Sequence, residues 1–146
     1  MRKILFRAKR KDNGEWVQGL LWKKKHNTNK IFISCFPDED DNEESFVVIP
    51  KTVGQYTGLT DKNGEKSFEG DIVAGAVHWL ERPKNGLVAF RNGSFGLIWF
   101  REDVELFHPF TSMCNIEYEV IGNIHDNPEL WETEGVNDGR HYNRRA

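Results

Sequence analysis

The residue types that enzymes use for catalysis are present in this 146-residue chain, but their spacing matches no common catalytic arrangement. Catalysis needs a nucleophile beside a base, paired acids, or a cluster of metal ligands. No two of the five histidines have the His-x-x-x-His spacing of a zinc site, and Cys35 and Cys114 belong to no Cys-x-x-Cys pair. We therefore expect a protein that is not an enzyme, holds no cofactor and no metal, and keeps two reduced, buried thiols.

Two groups of carboxylates are alternatives to that expectation. Glu69 and Asp71 alternate, so they could lie on one face of a strand as the acid pair of a hydrolase or nuclease, or they could serve the turn before Ile72. The second group is the acidic loop, residues 38–44, which contains six acidic and no apolar residues. This loop lacks the glycine that the sharp turn of a calcium site needs, so a solvated loop is favoured over a cation site.

The basic residues are concentrated at the start of the chain. Residues 1–30 contain ten Lys and Arg against two acidic residues, a net charge of +8. Residues 31–146 contain ten Lys and Arg against 21 acidic residues, a net charge of −11. Cations interleaved with aromatic residues could track phosphates while the rings stack on bases. Alternatively, the cations form a solvated face and turns, and the aromatic residues face the core. The residues that would contact a nucleic acid or a protein partner are Lys9, Arg10, Lys11, Trp16, Lys23, Lys24 and Lys25.

The elements that must position these residues are short strands. Alternation and turn signals predict a first hairpin around Asp12-Asn13-Gly14 and a tight hairpin at Asn63-Gly64, while Pro50 ends a strand. The residues Asn127-Pro128-Glu129 predict the start of a short helix through Trp131. His108, before Pro109, is expected in a loop. The predicted strands cover residues 4–8, 16–22, 30–36, 45–49, 55–59, 66–74, 76–80, 86–91, 95–100 and 118–124.

Many short strands between turn residues favour an all-β fold. We expect a single-domain barrel or sandwich of short antiparallel strands, for which an SH3-like barrel is one arrangement, with the short C-terminal helix. This domain would cover residues 1–134, and residues 135–146 would form a flexible tail. No apolar run approaches the ~20 residues of a membrane-spanning helix. No hydrophobic stretch of a secretory signal follows the first basic residues, so a cytoplasmic protein is expected.

One long motif resembles the signature of a known family. The runs TVGQYTGL (52–59), DKNG (61–64) and FEGDIV (68–73) are similar to those of the YopX family of phage and prophage proteins. The runs FRA (6–8), GSFGL (93–97), YEVIGNI (118–124) and NPEL (127–130) agree in the same order. Two features depart from the family: Lys9 stands where an aromatic residue would follow Arg-Ala, and the acidic loop looks like a local elaboration.

The resemblance implies a mainly β fold and an origin in a phage or prophage, hence the cytoplasm of a bacterial host. It implies no reaction and no catalytic residues, and it is compatible with self-association. From the residues themselves, the motif glycines permit turns, Asp71 can accept backbone N–H bonds, and the polar run 55–57 could line a ligand groove. The motif residues are Gln55, Tyr56, Thr57, Gly58, Gly64, Glu69, Gly70 and Asp71.

Two functions from different classes follow. The first is a small phage accessory protein that acts by protein–protein contact, as a homo-oligomer in which the basic hairpin meets the acidic loop, because opposite charges promote such contacts. The second is a nucleic-acid-binding β module that uses the basic N-terminal hairpin, whose affinity would fall steeply with salt. Neither function involves a membrane.

Overall fold

A computed structural model of the chain describes residues 2–26, 29–35, 42–75, 85–112 and 117–132. Within these residues a single α-helix of four residues is present, α1 (Glu129–Glu132), and short 3₁₀ turns occur at Pro50–Thr52 and Phe110–Ser112. No helix of this part of the chain is long and apolar enough to cross a membrane. The strands are β1 Phe6–Lys9, β2 Trp16–Lys23, β3 Ile31–Cys35, β4 Glu44–Val48, β5 Gly54–Thr60, β6 Lys66–Phe68, β7 Asp71–Ala74, β8 Gly86–Arg91, β9 Ser94–Arg101, β10 Val104–Pro109 and β11 Glu119–Asn123.

These strands form two antiparallel sheets. The first has six strands in the order β4-β3-β2-β1-β5-β6, and the second has five in the order β10-β9-β8-β7-β11. The mainly β fold and the short C-terminal helix are therefore confirmed. The chain divides into two compact units, Met1–Gly58 and Leu59–Ala146. The extent of the single domain predicted over residues 1–134 stays a prediction.

The first unit wraps its strands around a small core. Ala8, Ile33 and Val48 are almost completely buried there. At the end of β1, the N–H of Lys11 donates to the carbonyl oxygen of Val47 at 2.9 Å, and the N–H of Ile49 donates to that of Lys9 at 2.8 Å. Because these bonds join the end of β1 to β4, the first four strands curl around this core.

The second unit is apolar on both faces of its sheet. Successive residues of a strand point to opposite faces. Val73 and Val88 accordingly pack in one cluster with Trp99 and Tyr118, while neighbouring residues pack in another with Trp131 of α1. The hydroxyl groups of Tyr118 and Ser67 are buried and hydrogen-bond to each other at 2.7 Å. The second cluster contains Ile72, Leu87, Ile98, Ile124 and Trp131.

Most predicted elements are present, and two expectations are wrong. The first hairpin, the second strand pair, β8, β9 and the helix lie where the sequence predicts them. The predicted strand 66–74 is instead two strands, because the chain turns at Glu69-Gly70. His108 lies in β10 and not in a loop, since Pro109 is tolerated at the end of an edge strand. Four predictions lie outside the described residues: strand 76–80, Cys114, most of the acidic loop and the tail 135–146.

Candidate nucleic-acid interface

The outer face of the first unit carries aromatic rings and cations together. Residues directly opposite each other on paired strands share a face. Lys9 lies opposite Trp16, and Trp22 lies opposite Phe32, whereas Ala8 and Ile33 belong to the other, buried face. We call the outer set the ring-and-cation face; its members are Arg7, Lys9, Trp16, Trp22, Lys24 and Phe32.

One end of this face is built around Trp16. The guanidinium carbon of Arg7 lies 4.8 Å from the centre of the indole ring, and Nζ of Lys9 lies 5.5 Å from it. Both distances are within the range of a cation–π contact. The sheet positions these groups because Arg7 and Lys9 are two residues apart on β1 and so share a face, and Trp16 lies opposite Lys9 at the start of β2. Two cations are therefore held over one half-buried ring.

The other end is built around Trp22 and Phe32. Their rings are nearly parallel, with centroids 4.3 Å apart and an angle of 11° between the planes. Nε1–H of Trp22 donates to Oγ of Ser34 at 2.7 Å, which fixes the indole in this orientation. Nζ of Lys24 lies 5.8 Å from the centre of the Phe32 ring. Trp22 is still 37% exposed, so the pair forms a stacked platform that is open to solvent.

The structure brings together only some of the predicted contact residues. Lys9, Trp16 and Lys24 lie on the ring-and-cation face, to which the structure adds Arg7, Trp22 and Phe32. Lys11 follows β1, Lys23 pairs with Ile31 on the core side, and Lys25 lies in a turn. The period of two through residues 16, 18, 20 and 22 could have indicated a shared face for the two tryptophans. The position of Phe32 opposite Trp22 could not have been predicted without the register of β2 and β3.

Arg10 takes part in a different arrangement. Its guanidinium group lies over the ring of Phe46, at 4.1 Å, and hydrogen-bonds to both carboxylate oxygens of Asp12. This hydrogen-bonded pair raises the pKa of Arg10 and lowers the pKa of Asp12 below its ordinary value. Arg10 is therefore neutralised locally and lies off the ring-and-cation face.

The alternative in which the aromatic residues of the basic region face the core is wrong for the two tryptophans. Trp16 and Trp22 lie on the face opposite Ala8 and Ile33, while Phe6 packs against the core. The polar residues Ser34 and Ser45 lie on the outer face, where their hydroxyl groups hydrogen-bond to each other at 2.7 Å. Ser34 is buried, and its hydroxyl group also donates to Oε1 of Glu43 at 2.6 Å, so this end of the face carries aromatic rings, hydroxyl groups and one carboxylate.

The glycine-rich motif serves turns and strand entrances. Gly58, Gly64 and Gly70 all have positive φ, between 81° and 90°. Asp71 is buried at the start of β7 and accepts a hydrogen bond from the N–H of Phe68 at 2.8 Å. Glu69 lies in the preceding turn and not on a strand, so the two carboxylates do not share a strand face as an acid pair.

The polar run of the motif belongs to β5. Gln55 lies opposite Phe6 of β1, and the N–H of Tyr56 donates to the carbonyl oxygen of Leu5 at 2.7 Å. The Tyr56 side chain is buried, and Thr57 is half-buried beside it in sequence. These residues pair β5 with β1 and the residue before it, which gives the run a structural role in the sheet.

Comparison with known proteins agrees with the motif. A family model described as YopX protein matches residues 5–132. The chain belongs to the YopX family. A crystal structure of protein EF1440 from Enterococcus faecalis is similar to it, with 27% sequence identity and a TM-score of 0.53, covering 90% of this chain and 100% of that chain. No curated protein matches.

A further carboxylate of this YopX-family chain is held by backbone donors. Asp61 begins the turn between β5 and β6, and its oxygens accept the N–H groups of Asn63, Glu65 and Val120 at 2.8–3.0 Å. Burial by itself would raise the pKa of this carboxyl group, but the three donors lower it below its ordinary value. The sequence shows the turn, whereas the bond to β11 depends on the tertiary structure.

Cys35 of the YopX-family chain is a further candidate for chemistry. The thiol of Cys35 is free and donates to the carbonyl oxygen of Gln18 at 3.0 Å. Burial raises its pKa, which lowers the thiolate fraction and hence the reactivity. Among the described residues, no group of three or more His, Cys, Asp or Glu could hold a metal ion.

Proposed function

We propose that this YopX-family chain is a phage or prophage accessory protein of the bacterial cytoplasm that binds nucleic acid through the ring-and-cation face. One observation carries the proposal: an exposed, stacked Trp22–Phe32 pair shares a sheet face with Arg7 and Lys9, and Lys24 lies beside it. Lys and Arg bind phosphates, and planar rings stack on bases. A surface that offers both at once suits a polyanion with flat, apolar bases.

The charge of the region supports the same function. Residues 1–30 have a formal charge of +8, which attracts a phosphate backbone over a distance. Among the described residues, Lys24 has no acidic partner, so its charge is available to a ligand. Arg7 and Lys9 are positioned by the indole of Trp16, which reduces the freedom that binding would have to remove.

The proposed protein acts by binding and not by catalysis. Asp71, the better placed of the two candidate acids, is buried and accepts the N–H of Phe68. Glu69 lies in the turn that leads to it. Both residues are thus explained by the turn before β7, which supports a role in the fold.

Fluorescence anisotropy of labelled oligonucleotides at ~50 and ~200 mM salt tests the proposal. Each phosphate contact is expected to contribute about a threefold loss of affinity over this range. Lys24→Glu should weaken binding several-fold and reduce the salt dependence. Lys66→Glu is the matched control, because it reverses an exposed lysine of β6 with the same change in net charge. Equal affinities of the two variants would contradict the proposal.

Protein–protein contact is the second candidate, favoured by the division of charge. Residues 59–146 contain nine Lys and Arg against 15 acidic residues, opposite in sign to the basic start of the chain. Such a chain could form a homo-oligomer or bind a protein partner through complementary charge. Light scattering should then show an oligomer at low salt that dissociates at high salt. A monomer under both conditions would rule out self-association.

A further inference from the structure

We infer that the nucleic acid is single-stranded, and that the Trp22–Phe32 pair stacks a base while the Arg7–Lys9–Trp16 cluster holds the phosphate backbone. This inference rests on the proposed function and assigns separate roles to the two ends of the ring-and-cation face. The two tryptophans differ in their contacts, and six residues of β2 separate them.

Trp22 has the geometry of a base platform. Phe32 covers one face of its indole at 4.3 Å, and the hydrogen bond to Ser34 prevents the ring from turning away. The part of Trp22 that remains exposed to solvent is therefore the part that Phe32 does not cover. Leu20, two residues earlier on the same face, is 51% exposed and adds apolar surface next to it. A base that stacked here would meet a flat ring already held in place.

Trp16 has a different geometry. Two cations lie over its indole, so the electron-rich face of the ring is engaged by charge. A ring in this position is less suited to stack a base, but it holds Arg7 and Lys9 in place on the sheet. This end of the face therefore suits phosphate oxygens. The division of roles predicts different effects for substitutions at the two ends.

A single strand fits this surface better than a duplex. A base inside a duplex is stacked between its neighbours, whereas an unpaired base offers its ring to a protein side chain. The described part of the first unit contains no α-helix that could enter a major groove. Duplex binding would use the cations alone and would leave the Trp22–Phe32 pair without a function.

The length of the face fits several nucleotides. Trp16 and Trp22 are six residues apart on β2, which corresponds to roughly 20 Å along an extended strand. Single-strand sites on small β-barrels cover about 4 nucleotides or more. A strand that crosses the face could thus place a base on Trp22 and a phosphate near Arg7 and Lys9.

The test compares an oligothymidylate of about 12 nucleotides with a duplex of the same length, by anisotropy at ~50 mM salt. We expect the single strand to bind at least about tenfold more tightly. Trp22→Ala should weaken single-strand binding by roughly 10- to 100-fold, because stacking contributes that much per base. Trp22→Phe should keep most of the affinity, since a ring remains. Circular dichroism of each variant checks that the fold is retained.

Tryptophan fluorescence gives a second readout that does not depend on the alanine variant. Trp16 is half-buried on the same face, whereas Trp99 and Trp131 are buried, so the quenching that is lost when Trp22 is replaced reports a base on Trp22. In Trp22→Phe the quenching by the bound oligonucleotide should be clearly reduced while binding by anisotropy persists. If quenching is unchanged in this variant, the assignment of Trp22 as the stacking residue is overturned.

The outcomes separate this inference from the proposed function. Duplex binding as tight as single-strand binding, with no effect of Trp22→Ala, would overturn the inference and leave nucleic-acid binding in place. Equal binding of heparin, a polyanion without bases, together with no effect of Trp22→Ala, would also overturn it. Absence of binding to both oligonucleotides at low salt would overturn the inference and the proposed function together.

Discussion

Replacing Gly19 by alanine is expected to unfold the first unit. Gly19 lies in the middle of β2, opposite Phe6, where the sheet curls around its core. A Cβ atom at this position would overlap the backbone carbonyl group of Ser34 on the adjacent strand. Because the obstacle is backbone and not the end of a flexible side chain, β2 and β3 would have to separate. We expect a loss of at least about 3 kcal/mol in the free energy of unfolding.

Urea unfolding followed by circular dichroism measures this loss, and Gly58→Ala is the matched control. Gly58 has φ +88° with open space around it, so its substitution strains the backbone without a clash and should cost about 1–2 kcal/mol. Gly19→Ala should be clearly the less stable of the two. A Gly19→Ala protein as stable as the Gly58→Ala protein would show that β2 and β3 can accommodate the methyl group.

The same substitution should also abolish oligonucleotide binding. Trp16 and Trp22 are on the strand that carries Gly19, and Phe32 is on the strand that would be displaced. The stacked pair depends on the register of these two strands. Loss of binding in Gly19→Ala would therefore accompany loss of structure, in contrast to Trp22→Ala, in which the fold should remain.

Replacing Asp71 by alanine is expected to lower the free energy of unfolding by about 2–3 kcal/mol. The carboxylate is 1% exposed and accepts the buried N–H of Phe68 at 2.8 Å. Alanine would leave that donor buried without this acceptor, which costs about 1–3 kcal/mol in proteins and more where a charged group was involved. The effect should be seen as a lower urea midpoint with an unchanged slope.

Asp71→Asn is the control for this prediction. The asparagine amide oxygen can still accept the Phe68 N–H, so the loss should be smaller than with alanine. If both substitutions left stability unchanged, the turn before β7 would not depend on this carboxylate.

Local patterns were sufficient for most of the fold. Alternation identified the strands of the first unit, and the turn residues before Trp16 separated them correctly. Pro50 ended β4 as expected, because proline cannot donate to a ladder. The errors arose where local signals conflict with the sheet. Residues 66–74 were predicted as one continuous strand, yet the chain turns at Glu69-Gly70. Pro109 predicted a loop, although it ends an edge strand.

The candidate site was only half visible in the sequence. The concentration of cations and aromatic residues in the first 30 residues indicated a binding region. The sequence did not separate Arg10, which is neutralised by Asp12, from Lys9, which lies over Trp16. Phe32 was absent from the predicted set because its contribution depends entirely on a partner on the neighbouring strand.

The sequence by itself determined the family, the mainly β class and the positions of most of the turns, because these depend on motifs and on the conformational preferences of neighbouring residues. The tertiary structure decided which side of the first sheet is buried, and with it the exposure of Trp22 and the stacking on Phe32. Alternation divides a strand into two faces but does not say which is covered. That choice depends on strand register, and a shift of one residue would exchange the two faces.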